Sequence, residues 1–474
     1  MPRMKGTAVH YRQLHEIAAL IAAGETTSAE VTDATLARIE RHDGRLNAFS
    51  EVLAESARRE AAERDTRIRD SGPRGPLHGV PIAVKDLYEV AGTPSTAGTI
   101  ALADRIAEAD ATVVDRLRDA GAVIVGKLKM SEGAFAAHHP DLGTPLNPWG
   151  DHLWTGASSS GSAAAVAAGL SYASLGSDTG GSIRFPSAAT GLTGIKPTWG
   201  RLSRAGVVEF AGSLDCPGPM ARSVRDCAIV YDRISGADPK DPVTLGRPRP
   251  DLTAACDRAD QVAAGARIGI DPAFMEFCDP QTRATLTEAL DVLRDLGATI
   301  VEVALPGVVD SVNDWTPACA VESAIVHRDV YETAPEKYGS QLRELIADGL
   351  AMPASAYQAI LRRRQDFTGR MRAALSGVDA LLLQVTGTAA PTAAHLEEIG
   401  VGPVWRDTIM LTTCPINTAG LPAVTLPGAP TETGDPVGYQ LVGLHDTEET
   451  LVSLAQAIQN RTDHHLRHPA GFDA

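Results

Sequence analysis

The stretch GSDTGGSIRFPS, Gly176 to Ser187, packs an acid, adjacent glycines, three serines and an arginine followed two residues later by proline into one short segment. Adjacent glycines commonly mark a turn. Hydroxyls and opposite charges around the pair make the stretch a candidate pocket as well. If a serine here does chemistry, it needs a base to take its proton. A second stretch of this kind lies upstream, TGASSSGSAAAVAAG, Thr155 to Gly169. Small residues let backbones approach closely and leave N–H groups open. A helix start adds unpaired N–H groups and the positive end of a dipole. Together these features can hold an oxyanion; either loop alone reads as an ordinary turn.

Around both loops, helical and strand-like segments alternate. Residues 11–70 read as a helical arm. It contains YRQLHEIAALIAAG ending on Gly24, a helix capped by Thr27 or Ser28 and stopping at Gly44, and the charged amphipathic EVLAESARREAAERDTRIRD. SGPRGP, residues 71–76, punctuates its end. Pro81–Val84 is a short apolar run suited to a buried strand, with Lys85 at its end. DATVVDRLRDAGAVIVGKL gives helix, turn and the strand Ala122–Val125. SGSAAAVAAG reads as helix, ARIGI (266–270) and DALLLQV (379–385) as strands. GLPAVTLPGAP, PVGYQLVG and TEETLVSLAQAIQNR close the chain as two strands and a helix. Such alternation is an α/β signature. With no internal repeat and no long low-complexity tract, residues 1–474 are expected to form one domain with residues 1–70 packed on it as a helical arm.

Composition narrows the function. The 474 residues are 44% hydrophobic and 22% charged, ordinary for a globular protein with a sizeable core. Aromatics make up only 4%, so that core must be mainly aliphatic. A formal charge of -16 repels phosphate backbones and anionic lipid, which argues against nucleic acid or a membrane surface as partner. The six cysteines form no C-x-x-C pair, so zinc and thioredoxin-like readings fail. Scattered thiols suggest a reducing compartment. No apolar leader and no membrane span is visible, which makes the cytoplasm the expected location. GAVIVGKL, Gly121–Leu128, approaches a phosphate-binding loop, but the residues between its glycines form an apolar strand and Leu128 stands where a hydroxyl must reach magnesium. There is no G-x-S-x-G elbow, no S-x-x-K and no cluster with metal-ligand spacing. Only seven lysines occur, so Lys85 beside an apolar strand stands out.

Taken in order, Lys85 with LYEVAGTPSTAGT, the two serine-rich loops and AATGLTGIKPTWGRLSRAG (188–206) resemble the amidase signature family. Gly176–Pro186 matches the family's G-S-D-x-G-G-S-I-R-x-P run throughout. Against its G-G-S-S-G-G-S run the chain reads Gly156-Ala157-Ser158-Ser159-Ser160-Gly161-Ser162, departing at Ala157 and Ser160. The resemblance covers residues 12 to 235 and resumes from PINTAGLPAVTLP to GYQLVG. It implies a large mixed β-sheet covered by helices on both faces. It further implies Ser182 as nucleophile, Ser158 as bridging serine with a cis peptide bond, and Lys85 as base. Thr179, Gly180 and Gly181 would supply the oxyanion hole, and Asp178, Arg184 and Ser159 would support it. Met130 falls where relatives have a pocket-lining apolar residue.

The chemistry is coherent. A lysine of pKa about 10.4 is mostly charged near neutrality. Desolvation at the strand end favours its neutral form. Lys85 could then take a proton from Ser158 while Ser158 takes one from Ser182, and the reverse path would protonate the departing amine. The resemblance thus implies an amidohydrolase acting on small or aryl amides, with carbamates and aryl esters as further substrates. The alternative is a glutamine-hydrolysing amidotransferase component that works in a complex. The expected partners are a small amide and water, with a homodimer left open and no cofactor or metal called for. Trp315, Tyr331, Tyr357 and Trp405 are aromatic candidates for the pocket wall, each also a plausible core residue.

Overall fold

Short apolar runs separated by amphipathic helices become strands buried in one sheet. The computed structural model describes residues 9–400 and 402–473; the first eight residues of the N-terminal arm, and the leaderless start read from them, lie outside the described residues. The strands are β1 Phe49–Val52, β2 Pro81–Lys85, β3 Val123–Leu128, β4 Ala173–Asp178, β5 Thr193–Lys196, β6 Cys216–Ala221, β7 Arg267–Ile270, β8 Thr299–Glu302, β9 Ala380–Gln384, β10 Ala423–Pro427 and β11 Gly438–Val442. They lie in the order β1-β3-β2-β4-β6-β5-β10-β11-β9-β7-β8. β2 runs parallel to both β3 and β4, and β7 parallel to β8 and β9; the remaining pairs are antiparallel.

Successive side chains along a strand point to opposite faces. Ile82 and Val84 accordingly enter one apolar layer and Ala83 the other; Leu382 and its neighbours Leu381 and Leu383 divide in the same way. Both faces are therefore covered, as the mixed α/β reading anticipates. On the Ala83 face lies the helix Ser160–Ala167, buried along its whole length. Its small residues let it sit close: a Cβ on Gly161 would come 2.4 Å from the Ala48 carbonyl oxygen.

Two local expectations need correction. The N-terminal arm is not helical throughout. Helices Leu14–Ala22, Ser28–Leu46 and Ala54–Ser71 are interrupted by β1, which adds to the sheet edge against β3. The second helix also passes Gly44 and ends at Asn47, whose φ of 54° is left-handed, while the Asp43 carboxylate accepts the Ala48 N–H at 2.7 Å. Asparagine tolerates that conformation and so ends a helix as glycine can. Among the described residues no helix is long and apolar enough to cross a membrane.

Candidate active site

β2, β4 and the segment before the 160–167 helix converge on Lys85. Lys85 ends β2 and is fully buried. Its Nζ donates to Ser158 Oγ at 2.7 Å, Ser159 Oγ at 2.9 Å and Ser177 Oγ at 2.8 Å. All its donors thus meet neutral hydroxyls. Desolvation lowers its pKa to about 7, opposed in part by the charges of Asp215 and Asp178. The Ala157–Ser158 peptide bond is cis. Ser159 holds the cluster together: its hydroxyl donates to the Ser177 carbonyl at 3.2 Å and accepts the Ser177 N–H at 3.3 Å.

The opening stretch divides into strand, loop and helix. β4 carries Gly176 to Asp178, and the helix Arg184–Thr190 begins just after Ser182. Asp178 and Arg184 form a fully buried fork, with Nε to Oδ2 and Nη2 to Oδ1 both at 3.0 Å. Burial pushes the Asp178 carboxyl up. The charge and hydrogen bonds of Arg184, with Lys196 and Asn417, outweigh it and bring the pKa to about 2. The carboxylate also accepts the Gly181 N–H at 2.8 Å and the Ile183 N–H at 3.1 Å. This corrects part of the expected oxyanion hole. The Gly181 amide and the amides at the helix start are engaged by Asp178. Those of Thr179, Gly180 and Ser182 find no acceptor among the described residues.

Ser182 is partly exposed, and its hydroxyl forms no hydrogen bond among the described residues. The structure therefore brings Lys85 to Ser158 but leaves the Ser158–Ser182 link unmade. Ser182 lines a cavity enclosing about 350 Å³ between atoms, some of it open to solvent. Its walls include Phe135, Trp154, Phe185, Trp315, Trp405 and Met410, and no charged side chain lines it among the described residues. An outer vestibule shares Trp315 and Trp405 and adds Asn313, Thr316 and Arg406.

Met130 does not line this cavity, contrary to expectation. Past β3 the chain turns so that the Ser131 N–H reaches the Ser158 carbonyl at 3.1 Å, and Met130 faces a separate cavity beside Asp86 and Lys129. Tyr331 packs beside Tyr338, and Tyr357 donates to Glu322 at 2.9 Å; neither reaches Ser182. Lys127, of the near phosphate-loop match, forms a buried ion pair with Asp86 at 2.9 Å. The departures at Ala157 and Ser160 have local partners: Ala157 lines the cavity, and the Ser160 hydroxyl meets His138 Nε2 at 2.8 Å. Among the described residues no group of His, Cys, Asp or Glu is placed to hold a metal.

Sequence reasoning assigns no role to Ser177, Asp215, Thr413, Asn417 or Gln440. Gln440 Oε1 accepts from Arg184 at 3.1 Å, and Asp215 accepts from the Thr179 hydroxyl at 2.5 Å. Ser177 and Asn417 stand inside the quoted stretches, so a signal is present, but nothing in the spacing tells a buried donor from a turn residue.

The family model for amidases matches residues 30–452. A Mycobacterium tuberculosis protein named "Putative amidase AmiD" is 42% identical over 468 residues, covering 99% of this chain and 98% of that one. A component of the glutamyl-tRNA(Gln) amidotransferase of a Roseiflexus species is 38% identical, covering 98% of this chain and 99% of that one. The X-ray structure of native peptide amidase from Stenotrophomonas maltophilia superposes with a TM-score of 0.85 at 32% identity, over 100% of both chains.

Proposed function

This chain belongs to the amidase family and is an amide-hydrolysing enzyme, and from that premise we propose that it cleaves small, apolar or aryl amides through an acyl-enzyme on Ser182. The observation that carries the reading is the 2.7 Å bond from a lysine of pKa near 7 to Ser158, the residue that follows Ala157 in the wall of the apolar cavity that Ser182 lines. Near neutrality Lys85 is divided between its forms, which suits a group that must accept a proton and then return it. Ser182 attacks the carbonyl carbon as its proton passes to Ser158 and the Ser158 proton to Lys85. The same path returned protonates the departing nitrogen. Water then attacks the ester and regenerates Ser182. Carbamates and aryl esters, which offer Ser182 the same kind of carbonyl carbon, are included as further substrates.

The relatives that belong to amidotransferases motivate a second reading, glutamine hydrolysis within a complex. Free glutamine carries an ammonium and a carboxylate. The inner cavity has no charged lining residue among the described residues, and the adjoining vestibule offers Arg406 but no carboxylate to meet the ammonium, which favours an apolar acyl group.

The test is turnover of a panel of anilides, primary amides, carbamates and aryl esters by the chain alone, with Ser182→Ala as blank. The variant is expected to lose turnover and labelling by a serine-directed phosphonate. Full labelling of Ser182→Ala would remove Ser182 as nucleophile. Glutaminase activity without anilide turnover would favour the second reading.

A further inference from the structure

We propose that Trp315 is a positioning residue for oxyanion stabilisation: its indole N–H sets the direction of the Gly180 amide. The inference rests on the acyl-enzyme reading above. Trp315 belongs to the helix Val309–Thr333, far in sequence from either serine loop. Its Nε1–H donates to the Thr179 carbonyl at 2.9 Å. A trans peptide is planar, with its C=O and the next N–H pointing in opposite directions. Holding the Thr179 oxygen on the indole therefore turns the Gly180 N–H away from it.

Neighbouring peptides are held likewise. Asn417 Nδ2 donates to the Asp178 carbonyl at 3.0 Å, which fixes the peptide carrying the Thr179 N–H. Thr413 Oγ1 donates to the Gly180 carbonyl at 2.7 Å, and that peptide's N–H is the one engaged by Asp178. Of the three amides left without an acceptor among the described residues, those of Thr179 and Gly180 are thus aimed by Asn417 and Trp315. The indole lies directly against the backbone it holds. A Cβ on Gly180 would lie 2.7 Å from Trp315 Cζ2, so ring and backbone are already in close contact. The Phe210 ring flanks the indole at 6.0 Å. The same indole lines the Ser182 cavity, so one residue forms part of the wall and orients a donor.

The test replaces Trp315 with benzothienylalanine, an indole isostere whose sulfur takes the place of the N–H. Trp315→Phe serves as a second variant. Both should fold, the isostere melting somewhat lower because the buried Thr179 carbonyl loses its donor, and the isostere should keep KM for an anilide, because the wall is retained. Their kcat should fall about tenfold to a hundredfold, less than the roughly 10²–10³ lost when an oxyanion donor is removed outright. Affinity for a trifluoromethyl ketone, whose adduct carries the oxyanion, should fall by the same factor as kcat. A purely structural wall would change KM and leave the ketone affinity in step with it. Wild-type kcat and ketone affinity in the isostere variant would overturn the proposal. Ser182→Ala, run beside them, separates the two readings: surviving turnover there sinks the nucleophile assignment. Its loss, together with a fully active isostere variant, sinks the role of Trp315 alone.

Discussion

The two sides of the Ser182 cavity are made differently. Toward residues 155–187 the wall is Ala157, Gly180, Ser182 and a single ring, Phe185, held by a buried polar network: Lys85 on three hydroxyls, Asp178 on Arg184, amides fixed on a carboxylate. Toward residues 309–410 the wall is large side chains on helical segments, Trp315, Trp405 and Met410. A network with one satisfied arrangement tolerates little change, because every lost partner leaves a buried polar group unpaired. An apolar wall accepts other shapes at modest cost. The reacting groups are therefore assigned to the first side, with Trp315 orienting one of its amides from across the cavity, and the choice of acyl group to the second.

Substitutions can break or sharpen this division. Lys85→Ala should lower kcat about 10²–10⁴-fold, the range of a general base. Near wild-type kcat at neutral pH would contradict its role. In the wild type, kcat/KM should rise with pH through about 7, because only neutral Lys85 accepts a proton. A profile flat from acid to alkaline pH would count against it. Asp178→Asn comes next. It leaves the Arg184 charge buried without its partner, a change that costs about 3–5 kcal/mol and is read in denaturant melts. Since the folded carboxyl lies at about 2, below its ordinary value of 3.8, the stability it supplies is present above that ordinary value and lost as pH falls through about 2. The wild type should therefore lose its advantage over Asp178→Asn in strongly acidic melts.

Smaller effects belong to the other side. Trp405→Ala should raise KM for aryl amides about tenfold, the worth of a modest loss of apolar contact, with kcat little changed. A matching collapse of kcat would move Trp405 to the reacting side. Met130→Leu should leave KM for every amide as in the wild type, since Met130 faces another cavity. A changed acyl preference would restore it to the substrate pocket.

The same division governs what is legible in the sequence. β2, β3, β7, β9, β10 and β11 are visible as apolar runs, and Lys85, Ser158 and Ser182 are singled out by the resemblance of their segments to the amidase signature motifs. β6 escapes such a reading because Pro217 and Pro219 argue against a central strand. The structure accommodates them: β6 pairs β4 along its length, but meets β5 only at Met220 and Ala221. Proline nitrogens therefore face the side where the ladder to β5 is not formed. β4 is hidden by its polar end, Gly176 to Asp178, which looks like a turn in isolation. Trp315 can be named from sequence as a wall candidate but not as a donor, because its acceptor lies 136 positions away and no local pattern marks such a pair.

The central claim is a covalent intermediate on Ser182. Mixing the enzyme with an aryl ester, quenching in acid within the first turnover and mapping the adduct by peptide mass spectrometry tests it directly. The account predicts one acyl group per chain, on the peptide containing Ser182, absent from Ser182→Ala. An adduct on another residue, or a burst of released phenol with no adduct on Ser182, would contradict it.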